Sequence, residues 1–317
     1  MPSSYLYFND LRFHYLHWNL EAVGQPVILL HGLASNARIW ELVAPRLGQA
    51  GYSVYAPDLR GHGLTDKPDG DYGFDTYFRD LATFIDVLNL ENPVLVGHSW
   101  GASLALDYAA RLPLGPRAPQ ALILVDGGLT QLDDRPGATW EVTRLRLEPP
   151  RLAGTPLSAF LARVQSPERN WRPDDQALSI ILANFEIVEA DGDSPEIDDP
   201  RMNPAASEET LASERIYPRL SYEHHMQIVR AMWEFPTYKR FRSVDCPVLL
   251  LPARPPQPQS QHERDFLAAK ERGVAKIQQI QPAAQVQWME DSIHDIPLQR
   301  PAELADEILR FLHAVGE

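Results

Sequence analysis

Apolar and polar positions change rhythm several times along the chain, and each rhythm predicts an element. Polar and aromatic positions alternate between residues 5 and 18 (Tyr5, Tyr7, Phe13, Tyr15), with Asn9-Asp10 between the two runs. A period of two about a turn-forming pair predicts an opening β-hairpin. Pro26–Leu30 is instead a continuous apolar run, the pattern of a strand buried on both faces of a parallel sheet. Helical spacing follows over 38–50, ending at Gly51, and Tyr52–Ala56 reads as another short strand. Asp75 offers an N-cap to a helix with Phe78, Leu81, Phe84, Ile85 and Leu88 on one face. Pro93–Gly97 is a third buried strand, Ala102–Arg111 a helix and Ala121–Val125 a fourth strand. Such alternation predicts an α/β fold, a mostly parallel sheet with helices on both faces.

The rhythm breaks after Gly128. From about 130 to 240 the pattern is helical, with apolar stretches at Leu178–Ile187 and Met226–Phe235 and no buried strand run. Between them the acidic, proline-containing segment Asp191–Asn203 predicts a mobile loop. Alternation returns with a strand at Pro247–Leu251, a helix near 262–272, a strand at Val286–Met289 and a closing helix over 302–314. There is no internal repeat. The expected organisation is an α/β core from 1–130 and 241–317, with a helical cap inserted at 131–240. Such a cap covers the carboxyl edge of the sheet, where open parallel sheets bind ligands.

Gly97-His98-Ser99-Trp100-Gly101 fits G-x-S-x-G between a predicted strand and a predicted helix. The glycines relieve the crowding of a sharp turn, and the turn lifts the serine hydroxyl off the sheet. The following helix aims its N-terminal amides and positive dipole end at the same point. A serine needs a base to become a nucleophile, and histidine has the suitable pKa. Of the ten histidines, His294 lies between the last predicted strand and the last helix, on the edge that carries Ser99. His98 should point away from the serine, while His14, His17, His224 and His225 are expected on the surface of the hairpin or in the insertion. An oxyanion needs donors; the amides of Leu33, after His31-Gly32, and of Trp100 are the candidates. His31 is expected to brace its loop.

Together these residues resemble the α/β-hydrolase superfamily, in particular its lidded esterases and lipases, over nearly the whole chain. His31-Gly32 is similar to its oxyanion loop, Asp58–Pro68 to its structural D-x-R-G-x-G-x-[ST] turn, Gly97–Gly101 to its nucleophile elbow, and His294 to its late histidine. The resemblance implies a third member, an acid, usually placed after the strand here at Pro247–Leu251. That position continues Pro-Ala-Arg-Pro-Pro-Gln, with no acid before Glu263 and Asp265. A minority of the superfamily places the acid one strand earlier, where this chain has Asp126. The acid is therefore expected at Asp126, with Glu263 or Asp265, or no acid at all, as alternatives. Its task is to accept the second ring N–H of the histidine. Relatives that open epoxides or remove halides carry a carboxylate at the elbow, so the serine disfavours those reactions.

Composition changes this picture little. Apolar residues make up 44% of the 317 and charged ones 23%, as in ordinary globular chains. A formal net charge of −14 argues against nucleic-acid and anionic-membrane partners. The single cysteine, Cys246, excludes an intrachain disulfide and is expected to be inert core. No basic-then-apolar leader opens the chain and no apolar run reaches membrane length, so a cytoplasmic location is expected. No metal-ligand spacing or phosphate loop is present, and no metal or cofactor is expected. Trp140, Trp171, Phe185, Trp233 and Phe235 are candidates to line an apolar pocket over Ser99. The expected activity is hydrolysis of a small carboxylic ester, lactone or thioester through an acyl-enzyme. C–C bond or amide cleavage by the same residues is one alternative, and a non-catalytic ligand-binding protein on the same fold is another.

Overall fold

The computed structural model describes residues 2–21, 24–134, 137–189, 214–256 and 261–316. The hairpin forms as β1 (Ser3–Phe8) and β2 (Leu11–Trp18), closed by Asn9 and Asp10, both at positive φ as a tight primed turn requires. β3 (Pro26–Leu30), β4 (Ser53–Pro57), β5 (Val94–His98) and β6 (Ala121–Val125) follow the buried runs closely. Between them lie α1 (Ala44–Gln49), α2 (Phe74–Val87) and α3 (Trp100–Arg111). With β10 (Val248–Leu251) and β12 (Gln285–Val286) they form one eight-stranded sheet in the order β1-β2-β4-β3-β5-β6-β10-β12. The hairpin side is antiparallel and the remaining pairings are parallel.

The continuous apolar runs are explained by two cores. Ile28, Leu30, Leu95, Leu122, Leu124 and Leu250 pack into one cluster with residues of α2 and α3. Their alternates Val27, Leu29, Val94, Val96, Ile123 and Leu249 pack into the other, with α1 and the closing helix. Side chains on both faces of these central strands are thus buried in apolar surroundings.

The segment between β6 and β10 contains α4 (Trp140–Leu147), α5 (Leu157–Val164), α6 (Asp175–Leu182), α7 (Tyr222–Glu234) and α8 (Thr237–Phe241). It is not purely helical. β7 (Thr155–Pro156), β8 (Phe185–Val188) and β9 (Arg215–Pro218) make a three-stranded antiparallel sheet, so the Leu178–Ile187 stretch is half helix and half strand. These strands are short and largely uncovered, which removes the apolar signature of a buried strand. The expected loop at Asp191–Asn203 lies outside the described residues.

Local departures have physical causes. Asp75 sits inside the first turn of α2 rather than capping it; Gly73 takes the cap position, and Asp71 accepts from the Gly73 amide and the Thr76 hydroxyl. The 38–50 stretch splits into a 3-10 turn at Ala37–Trp40, capped by Asn36, and α1, which begins with Pro45 in its first turn. α9 (Gln261–Ile280) runs beyond its predicted end. The last strand divides into β12 and β13 (Met289–Glu290), the latter pairing with β11 (Ala253–Arg254). α10 (Ile296–Gln299) and α11 (Pro301–Gly316) close the chain. Among the described residues no helix is long and apolar enough to cross a membrane.

Candidate active site

Three adjacent strands, β3, β5 and β6, deliver Leu33, Ser99, Trp100 and Asp126 to one edge, and the loop between β13 and α10 brings His294 to it. β5 ends in Ser99, whose backbone at φ 55°, ψ −120° is a strained conformation for a residue with a side chain. Neighbouring glycines make the turn feasible. A Cβ on Gly97 would lie 2.4 Å from the Gly101 carbonyl oxygen, and one on Gly101 would lie 2.4 Å from that of His31. α3 starts at the next residue and can therefore sit directly on the ends of β3 and β5.

The Ser99 hydroxyl donates to His294 Nε2 at 2.9 Å, and His294 Nδ1–H donates to Asp126 Oδ2 at 2.7 Å. The chain is 195 residues long between the first pair and 168 between the second. Of the three acids weighed from sequence, Asp126 at the end of β6 is thus the one beside the ring. Asp265 is exposed near the start of α9 and accepts from Gln261, and Glu263 lies in the first turn of the same helix. Gly32 and Leu33 pass against the serine: a Cβ on Gly32 would stand 3.0 Å from Ser99 Cβ. Among the described residues neither the Leu33 nor the Trp100 amide donates to a protein acceptor. Both are available to a ligand atom at the serine.

Two supports were not anticipated. Lys270 of α9 is 5% exposed; its Nζ lies 2.5 Å from Asp126 Oδ1 and donates to the Ala253 carbonyl at 2.7 Å. The Ala253 amide donates to the same Oδ1 at 2.8 Å. Burial alone would raise the pKa of Asp126, but the bond from His294 and the charge of Lys270 prevail and hold it at about 2. The signal for Lys270 was present: it shares one helix face with buried Gly273, Val274 and Ile277, where a lysine needs a buried partner. His98 Nε2–H donates to the His294 carbonyl at 2.9 Å and so braces the loop that carries the ring. Burial keeps His98 neutral, with a pKa of about 4.

Desolvation lowers the pKa of His294, but the hydrogen bond and charge of Asp126 more than offset this, and the net shift is upward from 6.5. The ring is half exposed (47%), so a ligand can reach it. Such a chain of groups can take a proton from a hydroxyl and stabilise the resulting imidazolium.

Other histidines are placed differently from expectation. His31 does brace its loop: Nε2 accepts from the Leu59 amide and Nδ1–H donates to the Gly32 carbonyl. His14, His224 and His225 are buried rather than superficial. His14 pairs with Asp58 and His224 stacks on Tyr72, because the hairpin and α7 pack onto the D-x-R-G turn region. Cys246 is partly buried, and desolvation pushes its thiol up to about 12.

A cavity of about 910 Å³ opens over Ser99. Core loops supply Leu33, Ala34, Ser35, His62 and Gly63, and the segment between β6 and β10 supplies the opposite wall, residues 146–153, 184–185, 218–222, 225 and 232. Of the five aromatic candidates only Phe185 lines it. Phe235 stacks on Phe74, Trp140 lies beside Trp233, and Trp171 packs on the core, because each has an apolar partner closer at hand. Among the described residues no group of three His, Cys, Asp or Glu could hold a metal ion.

Residues 27–307 match the alpha/beta hydrolase family. The chain belongs to that family. It is similar to N-formylmaleamate deformylase of Pseudomonas putida, 33% identical over 211 residues that cover 64% of this chain and 74% of that protein. An uncharacterised protein of Mycobacterium tuberculosis is 35% identical over 127 residues, 38% of this chain and 36% of that one. The chain thus spans about a third of the length of the mycobacterial relatives it matches. Among solved structures, E-2-(acetamidomethylene)succinate hydrolase superposes with a TM-score of 0.68 at 20% identity, over 98% of this chain and 99% of that one. At that identity the likeness is one of fold.

Proposed function

We propose that this alpha/beta hydrolase cleaves a small carboxylic ester, lactone or thioester, with Ser99 as nucleophile, His294 as general base and Asp126 as the acid that orients it. The observation that carries the reading is the continuous relay from Ser99 Oγ through His294 to buried, charged Asp126. His294 Nε2 takes the hydroxyl proton as Ser99 Oγ bonds to the carbonyl carbon. The carbonyl oxygen gains the negative charge, held by the Leu33 and Trp100 amides at the N-terminus of α3. Collapse breaks the bond to the leaving oxygen, which takes the proton from His294. Water then repeats the sequence on the acyl-enzyme and restores the serine. Every proton passes through Nε2, so no metal or cofactor is called on. The segment between β6 and β10 serves as a cap that closes the cavity over the serine.

Amide cleavage is the second reading, favoured by the similarity to N-formylmaleamate deformylase. It uses the same residues, with His294 protonating a leaving nitrogen. A panel of 4-nitrophenyl esters, lactones and formamides, run with wild type and Ser99→Ala, separates the two. Ester turnover above that of formamides, lost in Ser99→Ala, supports the first reading. Formamide turnover above ester turnover supports the second, and identical rates for wild type and Ser99→Ala defeat both.

A further inference from the structure

The wall of the cavity opposite Ser99 is unlike the rest of the molecule. A chain with a formal charge of −14 places Arg146, Arg151 and Arg219 there, against one carboxylate, Glu148. That carboxylate is engaged, accepting from the Tyr222 hydroxyl at 2.5 Å. The two histidines in the lining, His62 and His225, are held neutral, both chiefly by burial. The local field is therefore cationic inside an acidic protein.

Arg219 stands out among the three. Arg151 lies over the Tyr222 ring, and Arg146 is exposed at the rim. Arg219 follows β9 directly and is half buried, and its amide donates to the Asn184 carbonyl at 2.9 Å. Asn184 is tied in turn to the core through Asn36, so the arginine backbone is anchored to the core from its own wall of the cavity. Yet its guanidinium makes no hydrogen bond or ion pair with any described residue, and its Nε is buried without a partner. Most of the other arginines near carboxylates in this chain are paired, Arg60 with Asp80 and Arg117 with Asp86 among them. A buried donor left unmet costs free energy, and a planar fork of donors matches a carboxylate better than any other common ligand group. Lys67, whose Nζ donates to the Gly63 carbonyl on the cavity wall, adds positive charge close by.

From this we infer that the substrate is an anion, an acyl compound bearing a second, unreactive carboxylate that docks on Arg219 while its reactive carbonyl sits at Ser99. The inference rests on the serine-hydrolase reading above and narrows its substrate class.

Matched substrates test it. The 4-nitrophenyl hemiesters of succinic and glutaric acid carry the carboxylate on the acyl side, and 4-nitrophenyl butyrate is their neutral counterpart. 4-Acetoxybenzoate carries it on the leaving side, with its methyl ester as counterpart. For at least one pair, Arg219→Met should lower the anionic-to-neutral ratio of kcat/KM by about 10- to 100-fold, chiefly through KM. Arg219→Lys should restore part of it, since it keeps the charge and loses the fork. Direct titration of Ser99→Ala protein with glutarate and 4-acetoxybenzoate, with and without Arg219→Met, gives a readout independent of turnover. Near-ultraviolet circular dichroism checks that the variants fold. Ratios and affinities that change by less than twofold in every pair overturn the inference. Absence of all esterase and formamidase turnover in wild type would instead defeat the functional reading, and the titration would still decide whether Arg219 binds the carboxylate.

Discussion

Among the described residues are two serine–histidine–aspartate relays of nearly equal geometry. In the first, Ser99 Oγ, His294 and Asp126 are linked at 2.9 and 2.7 Å. In the second, the Ser3 hydroxyl lies 2.8 Å from His14 Nε2, and His14 Nδ1 lies 2.7 Å from Asp58 Oδ2. Only their surroundings differ. Ser3 is in an extended edge strand, its backbone engaged in the hairpin ladder, and none of the three lines the cavity. His14 is 4% exposed, against 47% for His294, so no substrate can reach it. Asp58 is consumed by structure, accepting from the Ala37 and Leu64 amides as well as His14. The second relay fastens the hairpin to the turn after β4. Hydrogen-bond distances therefore do not tell the two relays apart; strained backbone, unoccupied amides and an open cavity do.

The largest expected contrast is between the two serines. Ser99→Ala should lower kcat by about 10⁴-fold or more, whereas Ser3→Ala should leave it within about twofold, as the exposed side chain reaches nothing reactive. The two acids should then fail in opposite ways. Asp126→Asn should lower kcat by about 10⁴-fold with the fold retained, because the wrong tautomer of His294 is favoured. Asp58→Asn should lower stability by about 2–5 kcal/mol, since it leaves buried donors facing an amide nitrogen. Chemical denaturation and kcat measured on the same samples separate the effects.

Smaller effects concern pH. In the proposed mechanism His294 must be neutral to act as base, and its pKa is raised above 6.5, so the acid limb of kcat/KM should have its midpoint above that value. The charge of Lys270 opposes protonation of His294, so Lys270→Met should move this limb to higher pH; a downward move would contradict the placement of Lys270 beside Asp126. Asp126 has a folded pKa of about 2 against 3.8 ordinarily. Its contribution to stability is therefore fully present above about pH 4 and is lost as pH falls through 2. Asp126→Asn should abolish that part of the acid dependence, as followed by thermal melts across pH.

The sheet was legible because each of its central strands is buried on both faces, which forces an uninterrupted apolar run such as Val-Ile-Leu-Leu at 27–30. Ser99 and Asp126 were legible because each stands where such a run ends, and His294 because it lies between the last strand and the closing helices. The small sheet of the insertion was not: Phe185–Val188 is largely exposed and leaves no alternation to read. His14 was misplaced to the surface because its partner, Asp58, lies 44 residues away and nothing local marks the pairing. Arg219 was equally silent, as an arginine beside a strand is ordinary until the cavity around it is seen.

Intact-mass and peptide mapping after treatment with a fluorophosphonate tests the central claim most directly. Wild type and Ser3→Ala should each gain one adduct, on the peptide containing Ser99, and Ser99→Ala should gain none. An adduct that persists in Ser99→Ala, or wild type that stays unlabelled while folded, would contradict the account.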